Sequence, residues 1–302
     1  MPRRLLSLFT LAGVLAASTT ASAQVSTLHV GVAPESLTKG WDGHYYVTMM
    51  GVRDDSDAAK TDGEVRMVTP RGQVRVIASG FDQPKGIVFS GEHLVFADMQ
   101  TVWKINQAGD VSVLAGPDAF PVPPTFLNDV ALDPAGRGVY VTEMGPVWEI
   151  FGPDGLRDLD DPHVLAIDPP GRVYHVSWEG EVTTAIDQTP MMRFPNGLYV
   201  EPDGRILVCS FFLGDIIAAY PGQDPQIIAT GHRTADGVET DDAGNLIVTE
   251  VISGQIFVRK PNGHAAELIH TASSAADHYL DRETNTLIVP DTAAGELVYI
   301  KL

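Results

Sequence analysis

Short apolar runs separated by turns recur along the chain. In each copy a polar residue stands at the start of an apolar run, a turn such as DPAGR or EPDGR follows, and a second apolar run comes next. Runs rich in β-branched and aromatic residues and bounded by Gly, Pro, Asp and Asn are typical of β-strands. The clearest copies start at Leu127, Pro162, Pro195 and Ala235, and looser copies start at Pro34, Pro84 and Ala276.

The spacing of these copies predicts an all-β fold. The unit from Pro195 contains four strand-like runs, and seven units over residues 24–302 give a period of about 40 residues, which is typical of propeller blades. Radial repetition of four-stranded sheets leaves only short, protected sheet edges. We therefore predict a single β-propeller domain over residues 24–302, with seven blades favoured and six, with one degenerate unit, as the alternative. The segment VSTLHVGV before the first unit is expected to close the last blade.

Residues 1–23 have the order of regions found in a secretory signal peptide. Arg3 and Arg4 precede an apolar run from Leu5 to Ala16, and small residues end at Ala23. The apolar run is too short for an ordinary membrane span, although an uncleaved anchor is the alternative. We expect cleavage before Gln24 and a periplasmic or secreted protein without a membrane partner.

The charge balance is strongly acidic. Without residues 1–23 the chain keeps 18 basic and 39 acidic side chains, a formal charge of −21. This charge argues against nucleic acid as a partner and is compatible with cation binding, although solubility alone would also explain it. We expect a small-molecule substrate and leave the oligomeric state open.

The chain has one cysteine, Cys209, so an internal disulfide and a zinc site built from several thiolates are excluded. It lies in the strand pattern ILVCSF, where a buried, inert thiol is expected. A bound metal would need oxygen or imidazole ligands.

One position of the repeat is polar in every copy. The innermost strand of a propeller blade begins near the central axis, so the side chains at this position should surround the axis on one face. Carboxylate and amide oxygens suit a hard cation such as calcium or magnesium, whereas strand caps and ordinary turn residues are the structural alternative. Aligning the copies gives Glu35, Lys85, Asn128, His163, Asn196, Asp236 and Asp277.

Four of these positions resemble a known metal-ligand set. Glu35 in PES, Asn128 in LNDVALDPAGR, Asn196 in PNGL and Asp236 in ADGVETDDAGNLIV match, in order and context, the ligands of the regucalcin and gluconolactonase family. The resemblance implies a divalent ion near the axis, calcium first with magnesium or zinc as alternatives, and hydrolysis of lactones.

The sequence departs from the family pattern in two places. The family is typically six-bladed, whereas here a further phrase carrying His163 lies between Asn128 and Asn196. Phe126 stands where members that hydrolyse sugar lactones typically have a substrate-binding arginine, so a more apolar substrate is expected. We predict a substrate pocket with apolar walls and a polar floor, which includes Phe126, Trp178, Phe211 and Asp277.

The leading hypothesis is a metal-dependent hydrolase of a lactone or related ester with a fairly apolar body, in which the cation polarises the carbonyl. Asp236 is both a candidate ligand and a candidate general base, and His163 is the rival base. Lys85 would steady an anionic leaving group or pair with a neighbouring carboxylate. The alternatives are a non-catalytic binding propeller and a metal-dependent lyase or isomerase, because virginiamycin B lyase is similar in architecture.

Overall fold

The computed structural model describes residues 24–52, 61–168, 171–261, 263 and 265–302. The signal peptide predicted for residues 1–23 lies outside the described residues. The described chain forms six four-stranded antiparallel sheets and one two-stranded hairpin, which together make a six-bladed β-propeller. No helix among the described residues is long and apolar enough to cross a membrane.

Blades 1 to 3 contain the first half of the described chain, and their strands run from the axis outwards. Blade 1 consists of β2 (Pro34–Lys39), β3 (Tyr45–Met49), β4 (Gly63–Val68) and β5 (Val74–Phe81). Blade 2 consists of β6 (Ile87–Phe89), β7 (His93–Ala97), β8 (Val102–Asn106) and β9 (Val111–Ala115). Blade 3 consists of β10 (Leu127–Leu132), β11 (Gly138–Glu143), β14 (Arg172–Ser177) and β15 (Val182–Ile186).

Blades 4 to 6 complete the ring. Blade 4 consists of β16 (Pro195–Val200), β17 (Ile206–Ser210), β18 (Asp215–Ala219) and β19 (Gln226–Ala229). Blade 5 consists of β20 (Ala235–Thr240), β21 (Leu246–Glu250), β22 (Gln255–Arg259) and β23 (Glu267–Thr271). Blade 6 consists of β24 (Tyr279–Asp281), β25 (Thr286–Asp291), β26 (Glu296–Lys301) and β1 (Val25–His29).

The few elements outside the blades are short. The hairpin consists of β12 (Phe151–Gly152) and β13 (Gly155–Leu156), and the α-helix α1 spans Pro162–Leu165. Three 3₁₀ turns span Trp41–Gly43, Pro117–Ala119 and Val147–Ile150.

The second strand of a blade is the most deeply buried because neighbouring blades cover both of its faces. Every residue of β11, β17 and β21 is buried, which explains why these strands read as continuous apolar runs. The core therefore lies between blades. Val95 and Ala97 of blade 2, for example, share one cluster with Val139 and Val141 of blade 3.

The two ends of the chain meet in blade 6, as the sequence predicted. Strand β1 pairs antiparallel with β26, with Val25 opposite Ile300 and His29 opposite Glu296. Contacts between innermost strands continue around the axis, from β2 to β6, β10, β16 and β20, and β2 also contacts β24. The first strand thus closes the ring through its hydrogen bonds with the last strand.

The prediction of a seventh blade from the phrase at Pro162 is wrong. Asp161 caps α1 by accepting a hydrogen bond from the backbone N–H of His163, and Pro162 occupies the first turn, so this segment begins a helix instead of an innermost strand. The strand that follows, β14, pairs with β11 as the third strand of blade 3. Residues 144–171 are therefore an insertion between two strands of one blade, and we call them the blade 3 insertion.

Candidate metal centre

Four innermost strands carry a β-bulge at the same place. In blades 1, 3, 4 and 5, two residues of the innermost strand oppose one residue of the second strand. A bulge redirects the side chain of the extra residue, and bulges are common beside functional sites. The first bulged residue of each pair is a member of the predicted ligand set, namely Glu35, Asn128, Asn196 and Asp236.

Threonine hydroxyls support these bulges. Thr142 Oγ1 accepts a hydrogen bond from the Asp129 backbone N–H (2.9 Å) and donates to the Asn196 carbonyl of the next blade (2.8 Å). Thr249 Oγ1 accepts from the Gly237 N–H (2.9 Å) and donates to the Ala276 carbonyl in the same way. One hydroxyl thus fixes a bulge and joins two blades beside the axis. Cys209 is buried at the equivalent position in blade 4.

The backbone before these residues is strained. Ala33, Gln83, Phe194 and Thr234 have positive φ values between 52° and 65°, a region that residues other than glycine rarely adopt. Each lies two positions before one of the seven aligned polar residues, in blades 1, 2, 4 and 5. Strain of this kind costs on the order of 1–3 kcal/mol per residue and clusters at functional sites.

The four predicted ligands share a cavity, and each keeps a buried oxygen without a hydrogen-bond partner. All four are at most 5% exposed and line a cavity of about 110 Å³. Buried polar atoms are almost always paired, and leaving one unpaired costs free energy. An oxygen set of two carboxylates and two amides fits a hard divalent cation. The unpartnered atoms are Glu35 Oε2, Asn128 Oδ1, Asn196 Oδ1 and Asp236 Oδ1.

A methionine orients one of the amides. Asn128 Nδ2 donates to Met144 Sδ at 3.0 Å, so its Oδ1 is the atom left unpartnered in the cavity. Met144 also lines the cavity wall. The thioether therefore selects the amide orientation that a cation would require.

The carboxylates are in an unfavourable environment without a cation. Burial raises the pKa of Glu35 well above its ordinary value, and Asp236, Asp277 and Asp129 raise it further, while Lys85 lowers it. Burial also raises the pKa of Asp236, and Asp277 adds to the effect. A bound cation would offset this repulsion. Among the described residues no three His, Cys, Asp or Glu side chains form a metal cluster, since two of the four candidate ligands are asparagines.

Lys85 and Phe126 lie side by side in the cavity wall. Lys85 Nζ donates to the Gln83 carbonyl (2.8 Å) and lies 3.4 Å from Met99 Sδ and 4.2 Å from the centre of the Phe126 ring. Most of the remaining wall is apolar. It is formed by Met50, Phe126, Met144, Val147, Phe151, Phe211 and Val251, and Thr292 adds a hydroxyl.

Two sequence-predicted residues lie away from the cavity. His163 is in α1, half-exposed, with Nε2 2.7 Å from Glu149 Oε2, because its phrase forms part of the insertion instead of a blade. Trp178 follows the third strand of blade 3 rather than a second strand, and its Nε1 donates to the Gly136 carbonyl in the turn between β10 and β11. The positions expected for both side chains were wrong for the same reason, the count of seven blades.

Asp277 lies on the axis but outside this cavity. Its carboxylate accepts a hydrogen bond from the Ser36 hydroxyl (2.6 Å), and burial raises its pKa to about 7. With His278 and Asp129 it lines a separate cavity, whose other walls include Lys39 and Leu132 from the far ends of the innermost strands. Aligning the repeat copies therefore placed Asp277 correctly on the axis but not at its correct depth along the axis.

Four residues near the axis were not predicted from the sequence. Val147 and Phe151 of the blade 3 insertion line the cavity, and the extra length between VYVTE and VYHVS was the available signal. Asp129 accepts hydrogen bonds from the Val130 and Leu198 backbone N–H groups, each at 2.6 Å, so it ties blade 3 to blade 4. Gly197 allows blade 4 to approach blade 5 closely, since a Cβ there would lie 1.4 Å from the Asp236 carbonyl oxygen.

Fold and site together define a six-bladed β-propeller with a candidate metal centre at one end of its axis. The sequence profile of the SMP-30/gluconolactonase/LRE-like region matches residues 90–277, more than half of the chain. The chain therefore belongs to this family, as its motifs predicted. A search of curated proteins found no match.

Solved structures agree on the fold. A gluconolactonase from Xanthomonas campestris is 19% identical, with a TM-score of 0.69 over 93% of this chain and 90% of that one. The calcium-binding protein regucalcin from Agrobacterium tumefaciens is 15% identical, with a TM-score of 0.64 over 91% and 92%. Virginiamycin B lyase from Staphylococcus aureus, in complex with quinupristin, is 13% identical, with a TM-score of 0.58 over 93% and 99%. These low identities support the fold alone.

Proposed function

We propose that this protein is an exported, metal-dependent hydrolase of a lactone or related ester with a fairly apolar body. The observation that carries the proposal is the set of four buried, unpartnered oxygens on Glu35, Asn128, Asn196 and Asp236 within one cavity. Membership of a family that includes gluconolactonases supports the reaction class. Export follows from the signal peptide predicted for residues 1–23.

The cation is proposed to be held by the oxygens of these four side chains, calcium in first place. Bound there, it would polarise the substrate carbonyl and stabilise the negative charge that develops on its oxygen. Asn128 and Asn196 contribute neutral oxygens, so the set carries two negative charges at most. These two negative charges would balance the charge of one divalent cation.

Asp236 is the proposed general base. Its carboxylate lines the cavity and keeps Oδ1 without a hydrogen-bond partner, so it can accept a proton from a water held beside the cation. It would take a proton from the attacking water while the water oxygen bonds to the carbonyl carbon. The ester C–O bond then breaks, and the leaving oxygen takes up the proton, so that a lactone and one water give one hydroxy acid.

Lys85 is proposed to stabilise negative charge near the reaction centre. Its ammonium belongs to the cavity wall and already lowers the pKa of Glu35, so its positive charge is felt among the ligands. The same charge would favour an anionic leaving oxygen. Phe126 beneath it keeps this part of the wall apolar.

A substrate panel with and without metal tests the proposal. Purified protein treated with a chelator should not hydrolyse unsubstituted lactones or aryl esters, and added calcium should restore hydrolysis with a product heavier than the substrate by one water. Restored turnover without this mass gain would indicate a lyase or isomerase. Binding without turnover would indicate a non-catalytic propeller, and either result would contradict the proposed hydrolase.

A further inference from the structure

The blade 3 insertion covers one side of the candidate metal centre. It leaves β11 on the face where the innermost strands begin, and it contributes Met144, Val147 and Phe151 to the cavity wall. No other connection between strands contributes as many residues to this wall among those described. The insertion therefore has the position of a cap.

Two arginines from neighbouring blades hold this cap. Arg193, before blade 4, is 8% exposed, and its Nη2 donates to the carbonyls of Val164 (2.6 Å) and Ile167 (3.0 Å). Arg233, before blade 5, donates to the Arg157 carbonyl, and its guanidinium lies 5.2 Å from the centre of the Phe212 ring. Burying a charged group has a cost that such hydrogen bonds offset, so the middle and the C-terminal part of the insertion are tied to the ring.

Apolar packing fixes the same segment. Val147, Ile150 and Val164 of the insertion are buried in one cluster with Phe194 and Phe211 of the blade 4 region. Phe211 also lines the cavity, so the packing of the cap and the shape of the cavity depend on each other. In a close-packed cluster of this kind, a substitution that changes the side-chain volume by even one methylene group has an effect. Val147 thus belongs to a fixed wall, and Phe151, which is 40% exposed, extends this wall to the rim of the cavity.

The cavity under the cap is small. Its volume of about 110 Å³ is well below the range of roughly 300–1,000 Å³ typical of small-molecule sites. Apart from the four candidate ligands, the polar wall residues are Lys85 and Thr292, and the Thr292 hydroxyl already donates to the Pro34 carbonyl (2.8 Å). Ring hydroxyl groups that face Phe126 or Val147 would have no hydrogen-bond partner on the wall, whereas Phe151, which is 40% exposed, lies at the rim of the cavity. Each such burial costs about 1–3 kcal/mol.

We propose that the blade 3 insertion is a fixed cap that restricts the substrate to small lactones without ring hydroxyl groups or long alkyl substituents. Val147 and Phe151 are the specificity-determining residues. This inference rests on the proposed hydrolase function and deepens it, because it names the substrate class and the residues that select it.

The test compares kcat/KM of the calcium-loaded mature protein for three probes: γ-butyrolactone, a γ-alkyl-substituted butyrolactone and glucono-δ-lactone. We expect γ-butyrolactone to be preferred over both others. Replacing Val147→Ala and Phe151→Ala together should raise the ratio of kcat/KM for the alkyl-substituted probe over γ-butyrolactone by about tenfold, within the range that small changes in apolar pockets produce. Phe151→Trp, which adds volume, should lower that ratio.

The matched control is Trp148→Ala, since Trp148 belongs to the same insertion but is 52% exposed and does not line the cavity. It should leave the ratio unchanged. A wild-type preference for glucono-δ-lactone, or a ratio that moves less than about twofold in both the double variant and Phe151→Trp, would overturn the cap inference while leaving lactone hydrolysis intact. Absence of turnover with all three probes in the wild type would instead overturn the proposed function on which it rests.

Discussion

The two ends of the propeller axis differ in how their charged side chains are paired. At the end formed by the far ends of the innermost strands, Arg282 Nη1 lies 2.5 Å from Glu239 Oε1, and Tyr45 donates to Asp281 at 2.7 Å. Among the described residues that line the cavity there, His278 alone keeps a buried side-chain atom without a partner. At the other end, four oxygens from four blades have none.

This difference separates architecture from function. The same innermost strands supply both ends, so the repeat itself does not dictate whether a polar side chain is paired. Paired charges at the far end stabilise the ring. Unpaired oxygens at the other end, behind four β-bulges and strained backbone, have the character of a binding site.

The largest effect expected is the loss of a candidate ligand. Asp236→Asn should reduce kcat/KM by about 10³-fold and abolish tight cation binding, because a cation contributes several kcal/mol of transition-state stabilisation. Asp281→Asn, a buried aspartate at the paired end, should change neither cation binding nor kcat/KM. Steady-state kinetics with calcium titration checks both variants. Equal losses in the two would remove the distinction between the ends.

Cation binding should also change how stability depends on pH. Without a cation, Asp277 has its pKa raised from 3.8 to about 7 and holds its proton in the folded state after the unfolded chain has lost it. The free energy of unfolding should therefore fall as pH rises through about 7. His278, whose pKa burial lowers from 6.5 to about 3, has the opposite effect, but only below pH 6.5.

Thermal unfolding above pH 6.5 isolates the carboxylates from His278. The Tm of the chelated protein should fall between pH 6.5 and about pH 8. Calcium at 100 times its Kd should raise the free energy of unfolding by about 2.7 kcal/mol. Glu35 and Asp236, whose pKa values are raised by burial, should no longer contribute once calcium is bound, so the calcium-loaded protein should lose less Tm than the chelated protein over the same interval. A Tm that does not respond to any divalent cation would contradict the assignment of this end as a metal centre.

A smaller effect is expected from the residue that orients Asn128. Met144→Leu keeps the apolar volume but removes the sulfur that accepts from Asn128 Nδ2. Loss of such an outer contact typically costs about 10- to 100-fold in metal affinity. Calorimetric titration with calcium measures it, with Met192→Leu, a buried methionine in another cluster, as the control. Unchanged affinity in Met144→Leu would show that the thioether does not position the amide.

The smallest effect belongs to the paired end. Lys39 Nζ contacts Asp281 at 3.4 Å and the exposed Glu283 at 2.5 Å. Partly exposed ion pairs contribute about 1 kcal/mol or less. Lys39→Met should therefore lower the free energy of unfolding by no more than that and leave calcium affinity unchanged, as measured by denaturant unfolding and calorimetry. A marked loss of calcium affinity would mean that the two ends are coupled.

The propeller fold and the four candidate ligands could be proposed from the sequence because both follow from local patterns. Strands and turns alternate along the chain with a period that tertiary contacts do not alter. The polar residue at the start of each innermost strand must lie near the axis. Glu35, Asn128, Asn196 and Asp236 were found in this way, and the structure brings them into one cavity.

The count of blades failed where a local pattern had two solutions. PHVLAIDPPGRVYHVS has the composition of a blade phrase, but Asp161 and Pro162 begin a helix, and the strand after it completes blade 3. The length of the strands would have exposed the error, because only β12 and β13, of two residues each, lie between β11 and Pro162. His163 and Trp178 were misplaced as a result.

The depth of residues along the axis was not predictable from the repeat. Asp277 occupies the aligned position of blade 6, but β24 begins later, at Tyr279, and its ladder with β25 has no bulge. The cap residues Val147 and Phe151 were missed because an insertion has no repeat partner with which to align. Long-range packing decides both features.

If Glu35, Asn128, Asn196 and Asp236 hold one divalent cation, a crystal structure of the mature protein grown with calcium should show it, with anomalous diffraction to identify the ion. We expect one calcium peak within about 2.3–2.6 Å of an oxygen from each of the four side chains. A peak beside Asp129 and Asp277 alone, or no ordered cation on the axis, would contradict the claim.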